Sequence, residues 1–182
     1  MRESADRYAT VSIALHWITA LLVIGQIGLI MAVDAEGPNA RTFAMIHKSD
    51  GIMILLLTTV RLLWRLGHPL APLPDETPRW QAFIARATHV LFYVLLFAFP
   101  LTGWAASSVM DRPIPIYGLF NWPLLPLEGD RETARSIMDI HRTGAKLLYV
   151  LLVLHVAGAL KHHFIERNGV LHRMLPLVPR PR

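Results

Sequence analysis

Four apolar stretches, at about residues 11–33, 44–66, 82–109 and 137–165, leave this 182-residue chain few folds to choose from. A helix crosses the hydrocarbon core of a bilayer with about 20 mostly apolar residues, and each stretch is longer than that. Each is also too long for a soluble helix that keeps a polar face. Lipid offers the backbone no hydrogen bonds, so the spanning element has to satisfy its own, as a helix does. Mean hydropathy is +0.40 and only 17% of residues are charged, against about 25% in soluble domains. The expectation is an all-α integral membrane four-helix bundle, one transmembrane domain over residues 1–182 embedded in the lipid bilayer.

The connections are polar or proline-rich: "DAEGPNAR", "GHPLAPLPDETPR" and the longer "DRPIPIYGLFNWPLLPLEGDRET". Pro100 inside the third stretch predicts a kink. The N-terminal "MRESADRYATVSIALHWITALLVIGQIGLIMAV" has a mixed-charge start and no A-x-A-like site, so it reads as a retained helix rather than a cleaved leader. Four spans put both termini on one side. Arg41, Lys48, Arg112, Arg131, Arg135, Arg142 and Lys146 fall on the opposite side, leaving eleven of the 18 Lys and Arg with the termini. The positive-inside rule then places both termini in the cytoplasm. The net charge of +5 belongs to this topology; no basic run interleaved with aromatics points to nucleic acid. The absence of cysteine excludes disulfides, iron–sulfur clusters, thiolate zinc sites and covalent haem attachment.

Nine histidines in so apolar a chain call for an explanation. His141 and His155, in "HRTGAKLLYVLLVLH", lie fourteen residues apart. On one helix they face within about 40° of each other and sit about 21 Å apart along its axis. His47 in "MIHKSDG" falls at the depth of His141; His16 in "ALHW" and His89 both fall near the depth of His155. Two imidazoles facing across a bundle axis at each of two depths are what six-coordinate haem iron requires. Intramembrane ionisable groups are costly and usually functional, although histidine pairs also bind zinc or nickel. Gly51, Gly144 and Gly158 lie near His47, His141 and His155, with Gly25 and Gly103 mid-span. They either clear space for a flat macrocycle or allow helices to approach closely. Arg61 shares the face of His47 one layer further in, where it either pairs with a haem propionate or snorkels to the interface.

With these residues in view, the chain resembles the bacterial cytochrome b561 family, four-helix di-haem b proteins related to the cytochrome b subunits of hydrogenases and formate dehydrogenases. The resemblance rests on "ALHW" at 14–17, "IHKSDG" at 46–51, "VRLLWRL" at 60–66, "PLTGW" at 100–104, the His141/His155 spacing and "HVAGALKHHFIERNGVLHRMLP" at 155–176. It implies two non-covalent haem b groups, the outer held by His47 and His141 and the inner by His16 and His155. It leaves His89 as a propionate or quinone contact or a core residue. It also implies single-electron transfer from a periplasmic donor to ubiquinone, in some members from superoxide, with no open iron position for oxygen chemistry. His162, seven residues past His155, continues that face about 10 Å nearer the cytoplasm, where the resemblance implies a contact to a quinone carbonyl. The apolar loop from Asp111 to Thr133 is expected to cap the outer haem, with Tyr117 and Trp122 as interfacial anchors. A basic mouth would suit an anionic donor. However, Asp34, Glu36, Asp50, Asp111, Glu128, Asp130, Glu132 and Asp139 lie on the same side as the seven bases, so only a local patch would serve. The alternatives are an electron-transfer subunit for a separate periplasmic dehydrogenase or cytochrome, and a haem-free metal-binding membrane protein.

Overall fold

The computed structural model describes residues 8–33, 37–68, 77–175 and 177. Four long helices dominate: α1 (Thr10–Val33), α2 (Ala40–Gly67), α3 (Arg79–Val109) and α4 (Arg131–Phe164). All four are long and apolar enough to cross a membrane. A two-stranded hairpin, β1 (Ile114–Ile116) and β2 (Phe120–Trp122), joins α3 to α4, and a short α5 (Val170–Met174) follows α4. Of the residues weighed above for charge, Arg2, Arg7, Asp34, Glu36, Arg180 and Arg182 lie outside the described residues, as does most of the proline-rich connection at 69–76.

The helix α4 starts earlier than its apolar run because a polar cap begins it. α4 starts at Arg131, where the Asp130 carboxylate accepts from the Thr133 backbone N–H at 2.9 Å and from its hydroxyl at 2.8 Å. That backbone bond, with the hydroxyl beside it, holds the Asp130 carboxyl below its usual range. Pro100 is accommodated within one continuous α3.

Packing runs in a chain: α1 on α2, α2 on α3, α3 on α4. Among the described residues, α4 packs no comparable length against α1 or α2. Val23, Ile54, Leu95, Leu96, Leu148 and Leu151 form the buried apolar core, midway along the helices. Leu21, Leu63, Phe83 and Val153 face outward, as lipid-facing side chains do.

The outer connection folds as a hairpin packed on the bundle. Ile114 and Ile116 pack on Ile52, backed by Trp104, Trp122 and Leu124. The Ser49 hydroxyl donates to the Pro115 carbonyl at 2.8 Å and accepts from the Tyr117 N–H at 2.9 Å. The Tyr117 hydroxyl donates to Asp50 at 2.8 Å; burial and this bond push it up to about 12, so it stays a donor at ordinary pH. Tyr117 and Gly118 both have positive φ, 48° and 75°, at the turn closed by the Leu119 N–H on the Ile116 carbonyl. An aromatic residue there is strained by about 1–2 kcal/mol, which its two bonds to α2 offset. Tyr117 and Trp122 thus hold the hairpin to the bundle, with the Trp122 indole N–H buried.

Gly144 is where α3 and α4 come closest to a steric limit: a Cβ there would lie 2.0 Å from Phe99 Cε1. Gly144→Ala is expected to destabilise the protein by about 1–3 kcal/mol through overpacking. Gly28→Ala, which meets nothing within 4 Å, should change little. Thermal unfolding in detergent distinguishes them, and equal melting points for the two variants would contradict this packing.

Candidate functional site

The helices bring the intramembrane histidines together in two layers separated by the apolar core. In the outer layer, the His47 and His141 rings lie 6.2 Å apart, between centroids. In the inner layer, His16 and His155 lie 6.3 Å apart. A metal ion bridging two imidazoles through bonds of about 2 Å sets their centroids about 6 Å apart. Both pairs therefore fit the donor geometry of a six-coordinate haem iron. Each also crosses helices that do not pack closely, α2 to α4 outside and α1 to α4 inside. A flat macrocycle needs that kind of slot.

The outer layer opens on a cleft lined by His47, His141, Gln26, Gly51, Phe99 and Pro100, among others. His141 is held in a ligating tautomer. Its Nδ1 lies 3.0 Å from the Phe99 carbonyl and 3.1 Å from the Thr102 hydroxyl, which itself donates to that carbonyl. Nδ1 must then carry the proton, leaving the Nε2 lone pair free. Gly103 lets the ring lie against α3, since a Cβ there would sit 3.4 Å from His141 Cε1. His47 differs, because its Nδ1 is buried without a partner.

In the inner layer, Arg61 donates to His16 Nδ1 at 3.1 Å. A guanidinium only donates, so Nδ1 is the acceptor and Nε2 carries the proton. Ligation through either nitrogen therefore requires Arg61 to release the ring. Arg61 and Arg65 both stand over the Tyr93 ring, at 5.8 and 5.5 Å. His89 also reaches His155, at 5.8 Å, but from α3, which packs closely on α4.

His162 lies at the end of α4, where its Nδ1 meets Glu166 at 2.6 Å. Asn168 donates to the same carboxylate at 3.1 Å, and Lys161 pairs with its other oxygen. The Lys161 bond, with Gln81 and His162 behind it, holds the Glu166 carboxyl below its usual range despite opposing burial. The Asn168 amide nitrogen also lies 2.8 Å from Nδ1, and its sense is fixed because its oxygen accepts from the Val170 N–H; in the neutral ring Nδ1 therefore accepts and Nε2 carries the proton. The Trp17 indole donates to the Met174 carbonyl at 2.8 Å, tying α5 to α1 beside this end.

Of the glycines, Gly51 opens onto the outer cleft, and Gly25 and Gly158 face open space. Gly144 and Gly103 instead make room for Phe99 and His141. The Phe99 carbonyl, a backbone group, leaves no sequence signal. Tyr93 and Asn168 were also missed. The four-residue spacing of Arg61 and Arg65 pointed to a shared face but not to the ring on α3 that receives it. Among the described residues no group of three or more His, Cys, Asp or Glu is placed to hold a bare metal ion.

Comparison with known proteins agrees with this geometry. The chain is 33% identical over 177 residues to cytochrome b561 homolog 2 of Escherichia coli (strain K12), covering 95% of this chain and 93% of that protein. It is 28% identical over 177 residues to cytochrome b561 homolog 1 of the same organism, covering 94% and 98%. It is also 28% identical over 176 residues to the probable superoxide oxidase CybB of Yersinia pestis, covering 93% and 96%. The sequence model of prokaryotic cytochrome b561 matches residues 7–177. With four membrane-spanning helices and histidines facing across them, the chain belongs to the prokaryotic cytochrome b561 family of bacterial membrane electron-transfer proteins, in which b-type haem is the redox group.

Proposed function

We propose that this chain carries single electrons from a periplasmic donor through an outer and an inner b haem to ubiquinone in the bacterial inner membrane, with both termini cytoplasmic. His47 and His141 would hold the outer haem, and His16 and His155 the inner one. The observation that carries this reading is the pair of facing imidazoles at each depth, 6.2 and 6.3 Å apart, across helices that leave a slot between them. When bound, haem iron supplies a one-electron couple.

The residues around the pairs have separable tasks. The Phe99 carbonyl orients His141, and the donated proton makes the ring a better ligand. His16 is preferred to His89 as the partner of His155 because α1 and α4 leave room for a macrocycle, whereas α3 and α4 are packed together. Arg61, once it releases His16, has its guanidinium free for a propionate at the same depth. At the cytoplasmic end, Asn168 and Glu166 hold His162 through Nδ1, and Nε2–H would donate to a quinone carbonyl.

Superoxide is the first donor to test. The Yersinia pestis relative bears the name of a probable superoxide oxidase, and Lys48 and Arg112 interact as a local cationic pair beside the outer layer. Arg142 is partly neutralised by Asp139 at 3.5 Å. A second reading, an electron-transfer subunit for a separate periplasmic redox protein, is favoured by the exposed Leu119 and Phe120 at the hairpin tip. Superoxide-driven ubiquinone reduction by the purified chain alone supports the first reading. Activity only with a co-purifying partner supports the second.

Ligand substitutions test the pairing. His47→Ala or His141→Ala should remove the outer haem and spare most of the inner; His16→Ala or His155→Ala should do the reverse, read by reduced-minus-oxidised spectra. Loss of the inner haem in His89→Ala, with His16→Ala intact, would refute the assignment. His162→Ala should keep both haems and slow quinone reduction by about 10²-fold or more, as expected for loss of a positioned proton donor; an unchanged quinone rate would reject that role.

A further inference from the structure

We propose that Gln26 is the positioning residue for His47, its side-chain carbonyl accepting from the imidazole Nδ1–H and so turning Nε2 toward the outer cleft. This rests on the reading of His47 as an outer-haem ligand. The two ligands of that layer are unequally supported. His141 Nδ1 has the Phe99 carbonyl at 3.0 Å, while His47 Nδ1 is buried with no partner. Metal-bound imidazoles almost always donate their other N–H, and a buried donor left unpaired is destabilising.

Gln26 holds the matching group. Its Oε1 is also buried without a partner, and it lines the same cleft as His47. Its Nε2 already donates to the backbone carbonyl of His47, at 3.3 Å. That bond fixes the amide's sense, because the oxygen end would face a carbonyl if the group were flipped. Oε1 is thus the end left over, on a side chain already tethered to the residue whose ring lacks an acceptor. Turning either side chain to pair the two orphans would satisfy both. Both outer ligands would then be anchored through Nδ1, His141 by a backbone carbonyl of α3 and His47 by an amide of α1.

The consequence is electronic as well as steric. An acceptor on Nδ1–H makes the imidazole more basic, which favours the oxidised iron and lowers the potential of that haem. The other polar group on the cleft able to donate to Oε1 is the Tyr149 hydroxyl, so Tyr149→Phe serves as the control.

The test is a spectroelectrochemical titration of the full chain in detergent, with low-temperature EPR of the oxidised haems. Gln26→Leu should raise the outer-haem midpoint potential, by about tenfold in its reduction equilibrium constant or about 59 mV for a one-electron couple. The inner haem should not move. Gln26→Glu, which keeps the size and strengthens the acceptor, should shift the outer potential down and alter the outer EPR signal, and Tyr149→Phe should leave it in place. An unchanged outer potential in Gln26→Leu, or the same rise in Tyr149→Phe, overturns the proposal. Should Gln26→Leu lose the outer haem, the Gln26→Glu shift decides alone, and its absence overturns the proposal. A wild-type protein without an outer haem refutes the ligand assignment itself, a result distinct from haem retention with an unmoved potential.

Discussion

Imidazole inside a bilayer has to be partnered, and the rest of this structure is organised around that requirement. Water is absent at these depths, so each ring nitrogen needs a hydrogen bond or a metal. Histidines on three helices meet as pairs at two levels, with Val23, Ile54, Leu95, Leu96, Leu148 and Leu151 between the levels as an apolar spacer. Packing that runs α1 to α2 to α3 to α4 without closing tightly on α4 leaves the two slots that the pairs span.

Supporting contacts at either end keep those slots in register. On the outer side, Ser49 and Tyr117 fasten a strained hairpin to α2 within three residues of His47. Gly144 admits Phe99, and Phe99 in turn presents its carbonyl to His141, so a glycine and a backbone oxygen together set the direction of one ligand. On the inner side, the Arg61 bond to His16 cannot coexist with ligation by that ring. Occupancy of the inner site and the position of Arg61 are therefore coupled.

Most of the architecture was legible in the sequence because membrane spans are written in long apolar runs and helical periodicity fixes which residues share a face. The layering of His47 with His141 followed from depth, as did the nearness of Arg61 to the inner layer, whereas the choice of His16 for His155 came from the family resemblance. What was not legible depended on the backbone. The hairpin was missed because its turn uses Tyr117–Gly118 rather than Asn-Gly, and its strands are only three residues long. The start of α4 was missed because Asp130 caps it seven residues before the apolar run begins. Depth could not separate His16 from His89; the tight packing of α3 on α4 is a tertiary fact. The glycines near the histidines were ambiguous for the same reason, and only their neighbours distinguish Gly144 and Gly103 from Gly51.

Haem stoichiometry tests the central claim most directly. Pyridine-haemochrome quantitation on the detergent-purified chain, paired with a dithionite-reduced minus oxidised spectrum, should give two b haems per chain with sharp low-spin bands. One haem per chain would contradict the two-layer account, and a colourless protein, reproducible after haem supplementation during expression, would contradict haem ligation by these histidines altogether.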